Sequence, residues 1–302
     1  MNIQQVVKNG LCIGCGGCTL LNDVSTMGES RKHGIFVPSP EVFTEHADIC
    51  SGSGYPIQDI GREMYGETGQ YNLELGYSHN IIAASSNSKN IKQKSSSGGI
   101  AFELAKYLLD VKRVKSIIAT KIIYDGIKPR PQAVVITDPK DLFATQGSKY
   151  YSVNNLEVIK SLKSENLPAA LIGTPCQIAS LRLLQKKNIG LSNHVKFTIG
   201  LFCGGFKPFQ HTDRIIRNLV EGNDNITHFQ HRGDGQPGQL KIVTLDNTTY
   251  AIPYPDYETN TGYHKIRRCR LCVDATAELA DVSIGDLWLS KYLKSNKQWS
   301  IV

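Results

Sequence analysis

The sequence predicts an α/β fold, in which a mixed sheet with βαβ units follows a small N-terminal segment rich in cysteine and glycine. The main observation is a short apolar strand ending at Gly173, then a helical pattern, then a second apolar strand from Val195 to Phe202. Such a unit places its two strands parallel, with a right-handed crossover. The second observation is that residues 1–60 are rich in Gly, Ser and Pro and contain no long periodic run.

Length and composition indicate a globular protein. The chain has 302 residues, of which 40% are hydrophobic and 20% charged, enough for one large or two ordinary domains. We predict two parts: a small N-terminal segment over residues 1–60 and an α/β domain over 61–302. No apolar run approaches the roughly 20 residues of a membrane helix, and a secretion signal is not recognisable, which predicts a cytoplasmic protein without a membrane span.

The C-I-G-C-G-G-C stretch predicts a ferredoxin-like 4Fe–4S segment. Cys12, Cys15 and Cys18 have the two-residue spacing of iron–sulfur runs. The intervening residues, which let backbone N–H groups approach the sulfurs, are Gly14, Gly16 and Gly17. The next cysteine is Cys50, which as a fourth ligand closes the set by a long loop. A zinc site is the alternative, but it usually takes two Cys or His pairs.

Two loops are candidates for binding a phosphate or a ring. The first, Ser95–Gly99, opens a helical pattern in which Ile100, Leu104 and Leu108 recur. Free N–H groups at a helix start bind anions, and an ordinary Ser N-cap is the alternative. The second, Thr145–Tyr151, combines a glycine, a hydroxyl, a lysine and two tyrosines, although Tyr is often only amphipathic packing.

Further elements complete the predicted fold. The segments 116–124 and 132–137 are predicted strands of a hairpin-like pair, and 208–221 is a predicted helix. Strands are also predicted at 226–231, 240–245, 248–252 and 281–288, the last ending in a Gly-Asp turn. The glycine-rich loop 231–238 is only superficially like a nucleotide fingerprint, because no helix follows it. The apolar run 299–302 has no terminating signal, which predicts a truncated C-terminus.

The remaining cysteines predict a second metal site. Cys176 and Cys203 each follow a predicted parallel strand, and the carboxyl ends of such strands form the edge where α/β folds bind ligands. Either one alone is equally consistent with a buried structural cysteine. Cys269 and Cys272 form a C-x2-C pair, which also suits a redox-active pair or half a zinc site. In a reducing compartment the eight cysteines are more typical of metal ligands than of disulfides, and they divide into two groups of four.

The charge distribution favours a protein or small-molecule partner over nucleic acid. The net charge is +7, without a long basic run or interleaved aromatic residues. The cations around the C-x2-C pair, which are suited to an anionic cluster or an acidic partner, are Lys265, Arg267, Arg268 and Arg270.

Several motifs occur together in this order: S-S-G-G, G-S-K-Y, G-T-P-C-Q-I-A-S-L-R, L-F-C-G-G, C-R-L-C-V-D and A-D-V-S-I-G-D-L-W. With them the chain resembles, over nearly its whole length, the family of coenzyme F420 hydrogenase/dehydrogenase beta subunits, which is similar to 7-hydroxymethyl chlorophyll a reductase. The resemblance implies FAD beside two 4Fe–4S clusters, with an N-terminal ferredoxin-like piece. It departs at Cys50, where the family often has C-P-G and this chain has Ser51 and Gly52.

The resemblance also implies site residues. One cluster falls on Cys12, Cys15, Cys18 and Cys50, and the other on Cys176, Cys203, Cys269 and Cys272. The FAD is expected near Ser97, Gly98, Gly99, Gly147, Ser148, Lys149, Tyr150, Gly173, Thr174 and Pro175. The catalytic residues are unknown; Lys149 and Asp286 are candidates by position, and Asp286 is equally consistent with a turn residue.

Our hypothesis is that the protein is an oxidoreductase that relays electrons. Electrons pass between a ferredoxin-like one-electron carrier or a partner redox subunit, the N-terminal cluster, the second cluster and FAD. The FAD exchanges hydride with the deazaflavin coenzyme F420 or another small organic substrate. The alternatives are a non-catalytic electron-transfer subunit of a larger hydrogenase or dehydrogenase, a redox accessory protein of a biosynthetic pathway such as surface glycans, and a zinc-stabilised module.

Overall fold

The computed structural model describes residues 1–126, 128–163, 167–220, 225–258, 263–295 and 297–302. The α-helices are α1 (Ile3–Lys8), α2 (Ile57–Tyr65), α3 (Lys89–Lys94), α4 (Ile100–Asp110), α5 (Pro175–Lys186), α6 (Phe209–Leu219), α7 (Arg267–Arg270) and α8 (Ser290–Leu293). The strands are β1 (Met27–Ser30), β2 (Ile35–Pro38), β3 (Gln70–Asn72), β4 (Gly76–Ser78), β5 (Ala83–Ala84), β6 (Ser116–Asp125), β7 (Lys128–Ile136), β8 (Ala169–Gly173), β9 (Val195–Leu201), β10 (Ile226–Gly233), β11 (Gln239–Thr244), β12 (Thr249–Pro253), β13 (Val282–Asp286) and β14 (Ser300–Ile301).

A seven-stranded mixed sheet forms the centre of the molecule. Its strand order is β5-β14-β13-β9-β8-β6-β7. The four strands β6, β8, β9 and β13 are mutually parallel, and the pairings of β6 with β7, β13 with β14, and β14 with β5 are antiparallel. The βαβ prediction is confirmed, because β8 and β9 are adjacent and parallel, with Ala169 opposite Val195, and α5 connects them. The mixed α/β fold class is therefore confirmed.

Successive residues of the central strands pack on opposite faces of the sheet. Ile117 and Ala170 belong to the hydrophobic cluster that contains Phe102 of α4. The next residue of each strand, Ile118 and Leu171, belongs to the cluster that contains α5. The period of two along β6 and β8 thus places one helix on each face, and both strands are buried on both sides.

Strand β7 is longer than the sequence predicted. Pro129 and Pro131 lie outside the predicted strand 132–137, but the structure places both inside β7, opposite Tyr124 and Ile122 of β6. The physical reason is that β7 is the last strand of the sheet, and an edge strand tolerates residues without an N–H donor on its free side. The predicted hairpin pairing itself is confirmed.

Other predicted elements are confirmed with shifted ends. Helix α6 begins at Phe209, directly after Pro208, and ends at Leu219; the predicted end at Glu221 lies outside the described residues. The C-terminal run forms β14, which joins β13 to β5. Strands β10, β11 and β12 form a separate three-stranded antiparallel sheet, and Asn247, with a φ of +68°, lies in the turn between the last two.

The N-terminal segment packs into the same core as the sheet. Ile13, Leu20 and Ile49 share a buried cluster with Ile118 of β6 and Leu181 of α5. Helix α2 continues across residue 60, where the boundary between the two parts was predicted. That boundary stays a prediction. Within the described residues no helix combines the length and hydropathy needed to cross a bilayer.

Gly200 of β9 allows the segment that precedes β13 to pack closely against this strand. A Cβ on Gly200 would lie 2.5 Å from the Cβ of Ala277 and 2.7 Å from that of Ala280. We expect Gly200→Ala to lower the free energy of unfolding by about 1–3 kcal/mol, because the core must shift to admit the methyl group. Urea denaturation measures this, with Gly190→Ala as the control, since a Cβ there meets nothing within 4 Å. Equal stability of the two variants would contradict the packing described.

Candidate metal centres and cofactor loops

The first four cysteines line one small cavity. Cys12 and Cys15 lie in the loop after α1, Cys18 lies in a 3₁₀ turn, and Cys50 lies between two such turns. The cavity has a volume of about 20 Å³, and its other lining is mostly apolar, with the hydroxyl-bearing Ser180 of α5 as an exception. The structure therefore brings together all four residues that the sequence predicted for the N-terminal cluster.

Glycines in this loop aim backbone N–H groups at the sulfurs. The N–H of Gly14 donates to Cys12 Sγ at 3.4 Å, and that of Gly17 donates to Cys15 Sγ at 3.5 Å. Gly14 has a φ of +71°, and a Cβ there would lie 2.1 Å from Ser152 Oγ. Only glycine fits this position, and such N–H donors stabilise negative charge on sulfur.

The four thiols resist ionisation in the folded chain. Burial is the largest cause, and it raises the pKa of each of them. Burial and the neighbouring Cys15 raise the pKa of Cys50 to about 12. Four thiolates in this setting require a cation to offset their desolvation and mutual repulsion. Metal ions are the cations that cysteine sulfur binds best, so the donor set suits a metal centre.

The other four cysteines line a second, larger cavity of about 200 Å³. Cys176 lies in the first turn of α5, directly after β8, and Cys203 lies just after β9. Cys269 lies in α7, and Cys272 follows it. The edge that the βαβ pattern predicted therefore gathers two strand-end cysteines and the C-x2-C pair. The relevant signal was the position of each cysteine after a parallel strand.

The second cavity is more open to solvent than the first. Cys272 is exposed, and the other three are partly buried. The N–H of Gly205 donates to Cys203 Sγ at 3.3 Å, while burial raises the pKa of Cys203 to about 11. Ile13 lines both cavities, so the two cysteine sets are neighbours. Among the residues that the structure describes, no three or more Cys, His, Asp or Glu side chains are arranged to hold a single metal ion.

Two of the three predicted FAD segments are in contact. Ser96 Oγ and Ser148 Oγ are 2.9 Å apart, which joins the loop before α4 to the loop 145–151. Ser97 Oγ lies 3.2 Å from Ser300 Oγ, and Gly98 packs so tightly that a Cβ would lie 2.6 Å from Ala84 O. Gly99 is the N-cap of α4 with a φ of +79°. The loop before α4 is thus fixed against β5 and β14.

The third predicted FAD segment, Gly173–Pro175, lies next to the second cavity. Pro175 lines that cavity, and Thr174 Oγ1 lies 3.4 Å from Cys176 Sγ. Thr174 and Gln177 form a capping box at the start of α5, and the Gln177 amide also donates to Val153 O at 2.9 Å. These hydrogen bonds fix the backbone at the start of α5, where Cys176 lies.

Lys149 binds the carbonyl groups of its own loop. Its ammonium group donates to Thr145 O, to Gln146 O at 2.7 Å and to Gly147 O at 2.9 Å. Burial lowers the pKa of Lys149 to about 7, whereas three carbonyl acceptors favour the ammonium form. Because the carbonyls use all three N–H donors, we favour the charged form and a role in shaping the loop. Its predicted acid or base role stays a prediction.

Asp286, the other predicted catalytic candidate, pairs with a residue that the sequence analysis missed. Asp286 ends β13 and accepts a hydrogen bond of 2.5 Å from Arg232 Nη1. The buried Arg232 also donates to Ser96 O at 2.6 Å, and its own carbonyl accepts from Ser148 N at 2.8 Å. Arg232 therefore connects Asp286 to both contacting FAD segments.

Two models of a known protein family match consecutive ranges of the chain. A family model for the N-terminal part of the coenzyme F420 hydrogenase/dehydrogenase beta subunit matches residues 81–160. The model for the C-terminal part of the same beta subunit matches residues 168–302. The chain belongs to this family of beta subunits. The predicted resemblance is thus confirmed, while the similarity to 7-hydroxymethyl chlorophyll a reductase stays a prediction.

Relatives in this family are components of F420-linked oxidoreductases. The coenzyme F420 hydrogenase subunit beta of Methanococcus voltae is 24% identical, with 74% of this chain and 80% of the relative covered. The coenzyme F420 hydrogenase subunit beta of Methanothermobacter thermautotrophicus is 27% identical, with 71% and 75% covered. A chain of the F420-reducing [NiFe] hydrogenase complex from Methanosarcina barkeri has the same fold, with a TM-score of 0.59, 21% identity and coverage of 77% and 76%. The curated relatives support a general oxidoreductase role.

The matched family ranges include the cysteines of the second cavity but not those of the first. All four cysteines of the second cavity lie in the range 168–302, as do Arg232 and Asp286. The four cysteines of the first cavity lie before residue 81, where the matched ranges begin. No local motif in the sequence assigns a role to Arg232, which lies within the glycine-rich stretch 231–238.

Proposed function

We propose that this chain is an iron–sulfur flavoprotein that relays electrons between a protein partner and coenzyme F420 or another small organic substrate. The observation that carries the proposal is the division of the eight cysteines into two sets of four, each lining one cavity, with Ile13 on the wall of both. The first set would hold the N-terminal 4Fe–4S cluster, and the second would hold another. Adjacent sites of this kind suit stepwise transfer of single electrons.

The spacing of the first set favours an iron–sulfur cluster over a single zinc ion. Cys12, Cys15 and Cys18 form a C-x2-C-x2-C run, whereas a zinc site usually takes two Cys or His pairs. N–H donors reach sulfurs in both sets, as they do around clusters. The first cavity, at about 20 Å³, has room for about one water-sized sphere, so cluster binding there requires local expansion.

For FAD we propose the predicted residues, with Arg232 added. The contacting loops present serine hydroxyls, backbone N–H groups at the start of α4 and the cation of Arg232, which are groups that bind phosphate. When bound, a flavin supplies the exchange between a two-electron hydride and single electrons. Within the chain, Arg232 joins the two contacting loops to Asp286 at the carboxyl end of β13.

A basic face around Cys272 is our candidate for the partner contact. Lys265, Arg267 and Arg270 are exposed, and within the described residues none of them pairs with a carboxylate. Arg267 Nη1 donates to Asn9 O at 3.1 Å, so the face reaches the loop that leads into the first cysteine set. An acidic ferredoxin-like carrier, or a partner subunit with an acidic face, matches this charge.

Reduction of F420 by the isolated chain tests the proposed activity. With a reduced acidic ferredoxin as donor, we expect F420 reduction with a rate constant that falls as ionic strength rises, since salt screens the basic face. Activity that appears only when a partner redox subunit is added would favour the alternative, a non-catalytic electron-transfer subunit. Loaded, reducible protein that never reduces F420, with or without a partner, would favour another substrate, as in a biosynthetic accessory role.

A further inference from the structure

Arg268 is a buried cation between the two cysteine sets. It is 7% exposed, although Arg267 and Arg270 on the same short helix are exposed. Its side chain lines the second cavity, next to Cys269 in the sequence. Burial of an arginine next to four cysteines needs a physical explanation, because arginine is almost never buried without a partner.

The guanidinium group of Arg268 reaches towards the first cysteine set. Its Nε and Nη2 donate to Ser51 O at 3.1 and 2.9 Å, and its Nη1 donates to Leu271 O at 3.0 Å. Ser51 directly follows Cys50 of the first set. The guanidinium thus bridges the peptide after a cysteine of one cavity and the wall of the other.

A second contact ties this peptide to the first set. The N–H of Ser51 donates to Ser180 Oγ at 3.1 Å, and the hydroxyl of Ser180 donates to Ser51 Oγ at 3.0 Å. The thiol of Cys15 donates to Ser180 Oγ at 3.7 Å. Ser180 lies one helical turn after Cys176 on α5, so a single helix contributes to both cavities. The position of Arg268 is therefore fixed from both sides.

No carboxylate forms an ion pair with Arg268 within the described residues, and all the hydrogen bonds from its guanidinium group end on backbone carbonyls. Asp274 also lines the second cavity; its Oδ1 accepts from the N–H groups of residues 276–278, and its buried Oδ2 accepts no hydrogen bond among the described residues. A buried charge without a paired opposite charge is strongly unfavourable. Besides Asp274, the anions available at the two cavities are the cysteine sulfurs, when they bear negative charge.

We propose that Arg268 is a positioning residue shared by both candidate clusters, a fixed cation that offsets their negative charge and favours the reduced form of each. The proposal rests on the proposed function, because it requires clusters in both cavities. Reduction adds one negative charge to a cluster, and a cation held in a low-dielectric site stabilises that charge. One residue thereby raises the reduction potentials of both centres together.

Redox titration of the full-length chain, monitored by electron paramagnetic resonance, tests this role. We expect Arg268→Gln to lower the equilibrium constant for one-electron reduction about tenfold at each cluster, which corresponds to about 59 mV. Arg268→Lys keeps the charge and should restore both potentials towards wild type. The control is Arg214→Gln, which removes an equal charge from an exposed position of α6 and should leave both potentials nearly unchanged.

The outcomes distinguish a failure of the proposed function from a failure of the shared role of Arg268. A wild-type chain without two clusters contradicts the proposed function, before any variant is compared. With two clusters in wild type, a shift at only one cluster, or a shift no larger than that of Arg214→Gln, overturns the shared role of Arg268. If Arg268→Gln loses both clusters, retention of both by Arg268→Lys supports the role of charge, and loss in both variants overturns it.

Discussion

Replacement of Cys50 by serine is expected to remove about half of the iron and acid-labile sulfide from the chain, because one of two four-cysteine sets loses a ligand. Cys50 is separated from the other three ligands by a long stretch of chain, and the structure nevertheless places it on the same cavity. The hydroxyl of serine is a poor substitute for a thiolate towards iron. Iron and sulfide analysis of anaerobically purified protein measures the loss.

The reciprocal variant is Cys272→Ser, which changes the exposed member of the second set. It should remove the other half and leave the electron paramagnetic resonance signal of the first cluster intact. Iron content in Cys50→Ser equal to that of wild type would show that another group closes the first site, and the division into two sets of four would then be wrong.

Replacement of Arg232 by glutamine is expected to lower the free energy of unfolding by about 3 kcal/mol, because it leaves Asp286 without its partner in a mostly buried pair. The side chains of Arg232 and Asp286 are only 4% and 23% exposed. Arg232 also lies over the rings of Tyr254 and Trp288, at 5.0 and 5.2 Å, and those contacts are lost as well. Chemical denaturation measures the change.

The same substitution should reduce bound FAD if Arg232 orders the proposed flavin loops. The double variant Arg232→Gln with Asp286→Asn removes both charges, so it should be less destabilised than the sum of the single variants. Arg214→Gln, at an exposed site, is the control for a general effect of arginine loss. Full flavin content in a folded Arg232→Gln protein would contradict the proposed FAD site.

The βαβ unit at the centre of the sheet could be predicted from sequence, because β8 and β9 are short apolar runs separated by a periodic helix. That pattern also fixed the sheet edge on which Cys176 and Cys203 lie, since parallel strands end together. The inclusion of Pro129 and Pro131 in β7 could not be predicted. It depends on the edge position of the strand, which follows from the strand order and not from local residues.

Arg268 and Arg232 could not be singled out from the sequence for a different reason. Arg268 was one of several cations near a C-x2-C motif, and only the fold distinguishes the buried one from its exposed neighbours. Arg232 was hidden beside a glycine-rich loop whose local pattern fits no nucleotide motif. Its partners, Ser96 and Asp286, are distant in the sequence, so tertiary contacts alone reveal its role.

The metal, sulfide and flavin content of the wild-type chain, purified without oxygen, decides between two 4Fe–4S clusters with FAD and a zinc-stabilised module. We expect iron and acid-labile sulfide equivalent to two 4Fe–4S clusters for each chain, together with FAD. Stoichiometric zinc without acid-labile sulfide would contradict it, and would instead indicate a zinc-stabilised module built on the same eight cysteines.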